Sequence, residues 1–254
     1  MKLGDRMKNY EKQTRIYIPK EQYIIIRVDG HKFSKFTKGF EVPFDDVFSN
    51  AMIETTKFLM KRFNAVTGYK QSDEITLVIP PSFDKRGNNQ IFGGRVDKIA
   101  SLAAAFATQK FNKELFRSGK YPDKVFKASF DGRVFGVDSE EEAFNTVLWR
   151  IRDAEKNSRS IFASTFCSHK DLLNKTGEEK IKFCLKNTGK NWNDLEDGYK
   201  YGFLVKKELF KKEVIFERNG KEERVEAERS RFVVFSKKLH YSEDNVKMIV
   251  SKYK

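Results

Sequence analysis

Two kinds of hydrophobic periodicity alternate along the first half of the chain, and their order constrains the fold more than any other feature. Tyr23-Ile24-Ile25-Ile26-Arg27-Val28 is a β-branched run that reads as a largely buried strand, ended by Asp29-Gly30. From Pro43 to Phe63 the pattern turns helical. Phe44, Phe48, Ala51, Met52, Thr55, Phe58, Leu59 and Phe63 fall at three- and four-residue steps. Pro43 suits the first turn of that helix, and Asp45 and Asp46 complement its dipole. Ile75 to Ile79 is a second strand, stopped by Pro80-Pro81. Asp84 to Gly94 is polar and glycine-containing and reads as a loop. Val96, Ile99, Leu102, Ala103, Phe106, Ala107 and Phe111 share one face of a second helix, and the run Ala103-Ala104-Ala105 predicts tight packing on a sheet. Phe126, Ala128 and Phe130 alternate with polar residues and predict a third strand continuing to Phe135.

Strand, helix, strand, helix, strand resembles a split βαβ unit. The expected class is therefore α+β: an antiparallel sheet with two helices on one face and the other face free for a ligand. Such a sheet needs one more strand, which the pattern does not locate. Glu140 to Phe166 reads as a long helix with Glu140-Glu141-Glu142 in its first turn. Gly202 to Lys206 and Glu213 to Glu217 read as short strands, Arg218-Asn219-Gly220-Lys221 as a hairpin turn, and Arg231 to Phe235 as a last strand.

Charge narrows the partners. The formal net charge is +14, from 50 Lys and Arg against 36 Asp and Glu, which favours a polyanion such as nucleic acid. No basic amphipathic helix stands apart, so a membrane surface fits less well. The 24 phenylalanines are ample for a core and exclude a disordered chain. Cys167 and Cys184 have no CxxC or zinc spacing and read as buried thiols of a reducing compartment. Apolar runs are too short to span a bilayer and the N-terminal segment lacks an apolar signal, so the expected location is cytoplasmic.

Against that basic background, acidic residues at strand ends are informative. Asp29 ends the first strand and Asp73 precedes the second. If the two strands are antiparallel neighbours, both carboxylates meet at one end of the sheet. Two such carboxylates can hold two Mg²⁺ ions, with the Gly30 carbonyl joining and the amides through Phe33 facing a triphosphate. A strand-end Asp-Gly is equally a plain turn, and Ser72-Asp73-Glu74 equally a surface polar cluster. Spacing alone leaves these readings open.

At these residues the sequence resembles the tRNA(His) guanylyltransferase family. The matching stretches are RVDGHKFSKFTKGF (27–40), PFDD (43–46), GYKQSDEITL (68–77), FDGRVF (130–135), WRIRDAEKNS (149–158) and NWND (191–194), with GDRMKNYE (4–11) ahead of them. The resemblance implies a polymerase-type palm working in the 3′-5′ direction, with residues 1–138 the catalytic palm. Residues 139–254 would be a helical and small-hairpin region completing the tRNA and nucleotide surface. It implies activation of a tRNA 5′-phosphate, normally by ATP, followed by attack of the 3′-hydroxyl of GTP or another NTP. Asp29, Asp73 and Glu74 would be catalytic, and Asp29, Gly30 and Asp73 would bind the two Mg²⁺. Gly30, His31, Lys32, Phe33, Ser72, Asp73, Arg95 and Lys98 would bind nucleotide. Arg133, Arg150, Arg152, Lys156 and Asn157 would serve tRNA. A homotetramer is implied as well. The family's eukaryotic guanylyltransferases carry a His-Ile-Asn-Asn-Leu-Tyr-Asn run after the WRxxD segment, where this chain reads Glu155-Lys156-Asn157-Ser158-Arg159-Ser160. In this it resembles the guanylyltransferase-like branch that repairs tRNA 5′ ends on a template. Untemplated guanylate addition to tRNA(His) is the near alternative, and a catalytically silent RNA-binding module the alternative of another class. Val42, His31 and Ser34 stand where Lys, Arg and His are common in the family.

Overall fold

A computed structural model describes residues 1–82, 90–218 and 221–253. The elements run α1 (Leu3–Lys12), β1 (Tyr23–Gly30), α2 (Phe33–Phe36), α3 (Asp46–Phe63), β2 (Thr67–Gln71), β3 (Glu74–Ile79) and α4 (Val96–Ser118). They continue as β4 (Phe130–Val137), α5 (Glu140–Phe166), α6 (His169–Leu172), α7 (Gly177–Thr188), α8 (Asp197–Tyr201), β5 (Phe203–Arg218), β6 (Lys221–Phe235) and α9 (Glu243–Val250). Among the described residues no helix is long and apolar enough to cross a membrane.

The six strands form one antiparallel sheet in the order β4-β1-β3-β2-β5-β6. Its first four strands with α3 and α4 make the split βαβ arrangement. The strand missing from the sequence pattern is β2. Thr-Gly-Tyr-Lys-Gln reads as polar, yet all five residues are buried.

Alternation along β1 sorts the core into two layers. Ile24, Ile26 and Val28 join α3 and α4 through Met52, Leu59, Ala103 and Phe111. Tyr23 and Ile25 face the other way, onto Phe144, Val147 and Ile151 of α5 and Val246 and Ile249 of α9. Helices therefore cover both faces, not one. The expectation of a free second face fails because the apolar stripe of α5 needs a partner and the odd-numbered side of β1 supplies it. The far half of α5 packs against α7 in a third, small core with Phe162, Cys184 and Trp192. Cys184 is buried there, while Cys167 is only half-buried, and both are free thiols.

Local chemistry sets the boundaries. α3 starts at Asp46, so Pro43 lies outside its first turn. Asp45 is the cap instead, accepting from the Phe48 amide at 2.7 Å. Tight packing between α4 and the sheet centres on Gly132, where a Cβ would stand 2.6 Å from the Ala100 carbonyl oxygen. Ala103 and Ala107 are the alanines turned inward, and Ala105 is exposed. Phe126 is not in a strand. It is exposed and has φ +62°, and pairing begins only at Phe130. Of the loop expected over 84–94, residues 90–94 are described, and Ile91–Gly94 form a 3-10 turn.

The expected short C-terminal strands are two long ones. β5 pairs with β2 through Phe203, Leu204 and Val205, then runs on with β6 alone. Cross-strand charges such as Glu208–Arg231 at 2.8 Å stabilise a ladder that carries little apolar pattern. The central residues of the expected turn, Asn219 and Gly220, lie outside the described residues. Lys206 of β5 is wholly buried. Its Nζ donates to the Thr67 hydroxyl at 2.9 Å and to the Ser251 carbonyl, at the end of α9, at 2.5 Å.

Candidate active site

The split βαβ arrangement places the end of β1 beside the turn between β2 and β3. Val28 pairs with Ile75, so Asp29 lies next to Ser72-Asp73, and on its other side Asp29 pairs with Asp131 of β4. The conditional inference from sequence holds: the strands are antiparallel neighbours and both aspartates stand at one sheet end. Each carboxyl feels the other strand's charge. Burial, then Asp29, pushes Asp73 up to about 6. Burial, then Asp131, raises Asp29, against a pull from Arg133 3.8 Å away.

Backbone geometry at this edge is specific. A side chain on Gly30 would overlap the Phe33 ring, and that ring is anchored among Phe36, Phe48, Phe111 and Phe130. Phe33 is thus a core residue whose amide, not its ring, borders the edge. Ser72 has φ +44° and is exposed at the turn tip. His31 and Lys32 are exposed, but the His31 amide already donates to the Ser129 carbonyl at 2.8 Å. Among the described residues, no hydrogen bond engages the amides of Lys32 and Phe33.

Glu74 is placed differently from its aspartate neighbour. Both its oxygens accept from Arg150 at 2.7 Å, and Arg27 lies 3.5 Å away. The Trp149 ring covers both guanidinium groups, 5.0 Å from Arg27 and 4.8 Å from Arg150. This pair ties α5 to the sheet. Arg150 also bonds Asp153, so its charge is largely spent inside the protein. Arg152 and Lys156 are exposed without an ion pair among the described residues, and Asn157 donates to Asp153 at 3.2 Å. Arg133 is exposed between Asp29 and Asp131.

Arg95 and Lys98 are not brought to this edge. α4 lies antiparallel to β4, with Thr108 bonding Phe130 near Asp29 and Ala100 over Gly132. Arg95 sits toward the opposite end, bridged to Tyr17 and paired with Asp97 at 2.6 Å, and Lys98 lies over Phe92.

Beside Asp29 and Asp73 opens a cleft of about 680 Å³ between α3, the β2–β3 turn, α5 and α8. Its walls include Asp29, Ser72, Asp73, Glu74, Arg150 and Asn157. They also include residues the sequence reading passed over. Phe44 stacks on Tyr199 with centroids 4.8 Å apart and planes at 15°, and the Tyr199 hydroxyl bonds Asp46. Lys70, three residues before Asp73, is buried and donates to the Ser49 hydroxyl at 2.8 Å. Burial pulls its ammonium down to about 7. The signal for Lys70 was its place in the GYKQSDE run, but only the tertiary fold shows that it is enclosed.

The donor set suits magnesium. Mg²⁺ takes one or two carboxylates and completes its shell with water and substrate phosphate. Asp29 and Asp73 are two adjacent hard-oxygen donors at one sheet end, and burial raises the proton affinity of both. Among the described residues no group of three or more His, Cys, Asp or Glu is placed to hold a metal ion.

The sequence pattern of the family described as Thg1, tRNA(His) guanylyltransferase, matches residues 4–138. An uncharacterised protein of Acanthamoeba polyphaga mimivirus is 33% identical, covering 99% of this chain and 90% of its own. The tRNA(His) guanylyltransferase of Saccharomyces cerevisiae is 25% identical, over 76% of this chain and 86% of its own. Among solved structures, a bacterial tRNA(His) guanylyltransferase (Thg1)-like protein in complex with ATP is similar with a TM-score of 0.83 and 35% identity. That match covers 99% of this chain and all of the other. The structure of a bacterial protein of the same description in complex with GTP matches with a TM-score of 0.68 and 35% identity, over 91% of this chain and 90% of the other.

Proposed function

The chain belongs to the tRNA(His) guanylyltransferase family, a tRNA 5′-end nucleotidyltransferase working in the 3′-5′ direction, and we propose that it is a templated, repair-type member. The observation that carries this reading is the cleft beside the Asp29–Asp73 edge, in a fold that matches a bacterial Thg1-like protein in complex with ATP over nearly its whole length. The chain's departure from the His-Ile-Asn-Asn-Leu-Tyr-Asn run at Glu155 to Ser160 supports it further.

On this reading the palm is residues 1–138, and residues 139–254 complete the cleft and the RNA surface. The tRNA 5′-phosphate attacks the α-phosphate of ATP and releases pyrophosphate. The 3′-hydroxyl of an NTP, paired with the template base, then attacks the activated 5′-phosphate and releases AMP. Asp29 and Asp73, with the Gly30 carbonyl, would hold two magnesium ions, which when bound offset phosphate charge and activate an attacking oxygen. The chain's residues do the positioning. The β2–β3 turn presents Ser72 to the nucleotide, and the Lys32 and Phe33 amides offer donors to its phosphates. The Glu74–Arg150 pair fixes α5 across the cleft mouth, and α5 turns Arg152 and Lys156 outward toward RNA. Orientation of the paired NTP supplies much of the rate, so a mismatched NTP reacts slowly even when bound.

The test uses tRNAs lacking their first 5′ nucleotide, with each of the four template bases opposite the gap. The favoured NTP should switch with the template base. Guanylate added with similar efficiency opposite all four would replace repair by untemplated addition. Asp29→Ala and Asp73→Ala should each lower the rate at least ~10²-fold while keeping the far-UV spectrum. Near-normal turnover by either would remove the metal-binding assignment.

A further inference from the structure

Phe116 and Phe126 break the apolar order that governs the two large cores. They are 61% and 71% exposed, and their rings stack with centroids 5.8 Å apart and planes at 26°. Phe126 holds φ at +62°, a left-handed conformation that a bulky side chain adopts at a cost. No burial of its ring offsets that cost, and strand pairing begins only at Phe130. The conformation is nonetheless fixed from behind. Buried Asn112 donates to the Ala128 carbonyl at 2.9 Å and accepts from the Ala128 amide at 3.2 Å, and the Lys127 amide donates to the Lys124 carbonyl at 3.1 Å. At the start of the same loop Tyr121 stacks on Phe40 at 4.1 Å and its hydroxyl bonds Asp45.

Position and charge tell what such rings receive. Phe130 pairs with Gly30, so Phe126, four residues earlier, lies within about 14 Å of the sheet end that carries Asp29. α4 reaches Phe130 at Thr108 and runs on to Ser118, beyond that same end. Between Lys113 and Lys127 basic residues outnumber Glu114 and Asp123, and Lys113 and Lys127 make no ion pair among the described residues. Flat rings amid free positive charge suit a single nucleic-acid strand, whose bases stack on aromatic faces while its phosphates meet lysines. A duplex hides its base faces, so the occupant is unpaired. A second copy of this chain, docked face to face about a two-fold axis, would set the same positive charge against itself.

We infer that Phe116 and Phe126 form a stacking platform for unpaired RNA, the 3′ strand that extends past a tRNA's 5′ end. This rests on the Asp29–Asp73 edge acting on a tRNA 5′ end, as proposed above. The platform anchors the strand that continues from the template base. Every base has a stacking face, so it holds that strand whatever its sequence. It acts on binding and takes no part in the bond changes.

Fluorescence anisotropy of labelled tRNA at fixed salt tests the assignment on wild type, on Phe116→Ala combined with Phe126→Ala, and on Phe126→Tyr. One tRNA is intact, and the other carries abasic nucleotides at its unpaired 3′ positions, which keeps every phosphate. Wild type should bind the abasic tRNA roughly tenfold or more weakly than the intact one. The double variant should bind the intact tRNA more weakly by the same factor and should not distinguish the two RNAs. Phe126→Tyr keeps a ring and should bind as wild type does. Both rings are exposed, so the urea midpoint should not fall. Phe126→Gly suits the positive φ and decides the matter if the double variant does not fold. Equal weakening of both RNAs by the variant, or equal binding of both by wild type, overturns the platform. A variant that binds RNA normally but sediments as a smaller species overturns it too, and makes the patch an interface between copies. Absence of binding by wild type to either tRNA would instead overturn the tRNA reading itself.

Discussion

Raising the pH from 7 to 9 should stabilise this fold, and Lys206→Met should remove about half of the gain. Lys206 is wholly buried, with the Thr67 hydroxyl and the Ser251 carbonyl as its hydrogen-bond partners among the described residues. Burial draws its ammonium from 10.5 down to about 7. In the unfolded chain it keeps the ordinary value, so between the two values the unfolded state holds more protons than the folded one. Stability therefore rises with pH through that window. A full pH unit inside it is worth up to about 1.4 kcal/mol per group. Starting half-protonated at pH 7, one such lysine contributes about 2 kcal/mol by pH 9. Lys70 experiences a similar pull, so the wild type should gain about 4 kcal/mol and Lys206→Met about 2. Buried and hydrogen-bonded phenols act in the opposite sense, but only above their ordinary value. Tyr23 and Tyr121 are pushed up to about 12, so folded phenols keep protons that unfolded ones lose near pH 10. Urea unfolding followed by circular dichroism at pH 7, 8 and 9 reads the effect directly. A wild-type stability that is flat across this range, or an unchanged slope in Lys206→Met, would show that Lys206 stays charged in the fold and refute the argument.

Two further outcomes follow from the site. Arg150→Met leaves Glu74 buried with Arg27 at 3.5 Å and the Thr76 hydroxyl at 3.4 Å as its side-chain partners among the described residues, so it should cost about 3–5 kcal/mol in urea unfolding and reduce nucleotide addition. A loss under 1 kcal/mol would mean that α5 is held by packing alone. Affinity for tRNA should fall steeply with salt, and Arg152→Ala with Lys156→Ala should reduce the slope of log K against log salt by roughly one to two units if both meet phosphates. An unchanged slope would place the RNA on another face.

The parts legible in the sequence are those where a single element carries its own pattern. β1, β3, α4 and α5 declare themselves by periodicity, and α5 was bounded at Glu140 and Phe166 because its acidic first turn marks the start. The meeting of Asp29 and Asp73 also followed, since it needed only two strand ends and an antiparallel pairing. Relations between distant elements were not legible. β2 hid because its buried Lys70 and Gly68 look like loop residues until Ser49, Phe48 and Phe203 surround the lysine and Thr56 and Met60 close on the glycine. Glu74 resembles its neighbour Asp73 in sequence, and only the approach of Arg150, 76 positions later, sets it apart. The length of β5 and β6 was missed because their alternation is one of charges, which pair across the ladder rather than toward a core. Arg95 and Lys98 match the family by position, but the antiparallel run of α4 carries them to the far end of the sheet.

The placement of the chain's two tryptophans makes the molecule its own optical gauge. Trp149 is 55% exposed and lies over the guanidinium groups that grip Glu74, whereas Trp192 is 4% exposed and bonds Ser158 at 3.0 Å through its indole N–H. A dissolved quencher such as iodide reaches the first and not the second. Emission from Trp149 responds to a shift of Arg150 at the cleft, while Trp192 reports from the small core beneath Ser158, a residue of the cleft wall. Iodide quenching can therefore separate the exposed signal beside Arg150 from the enclosed signal of that core.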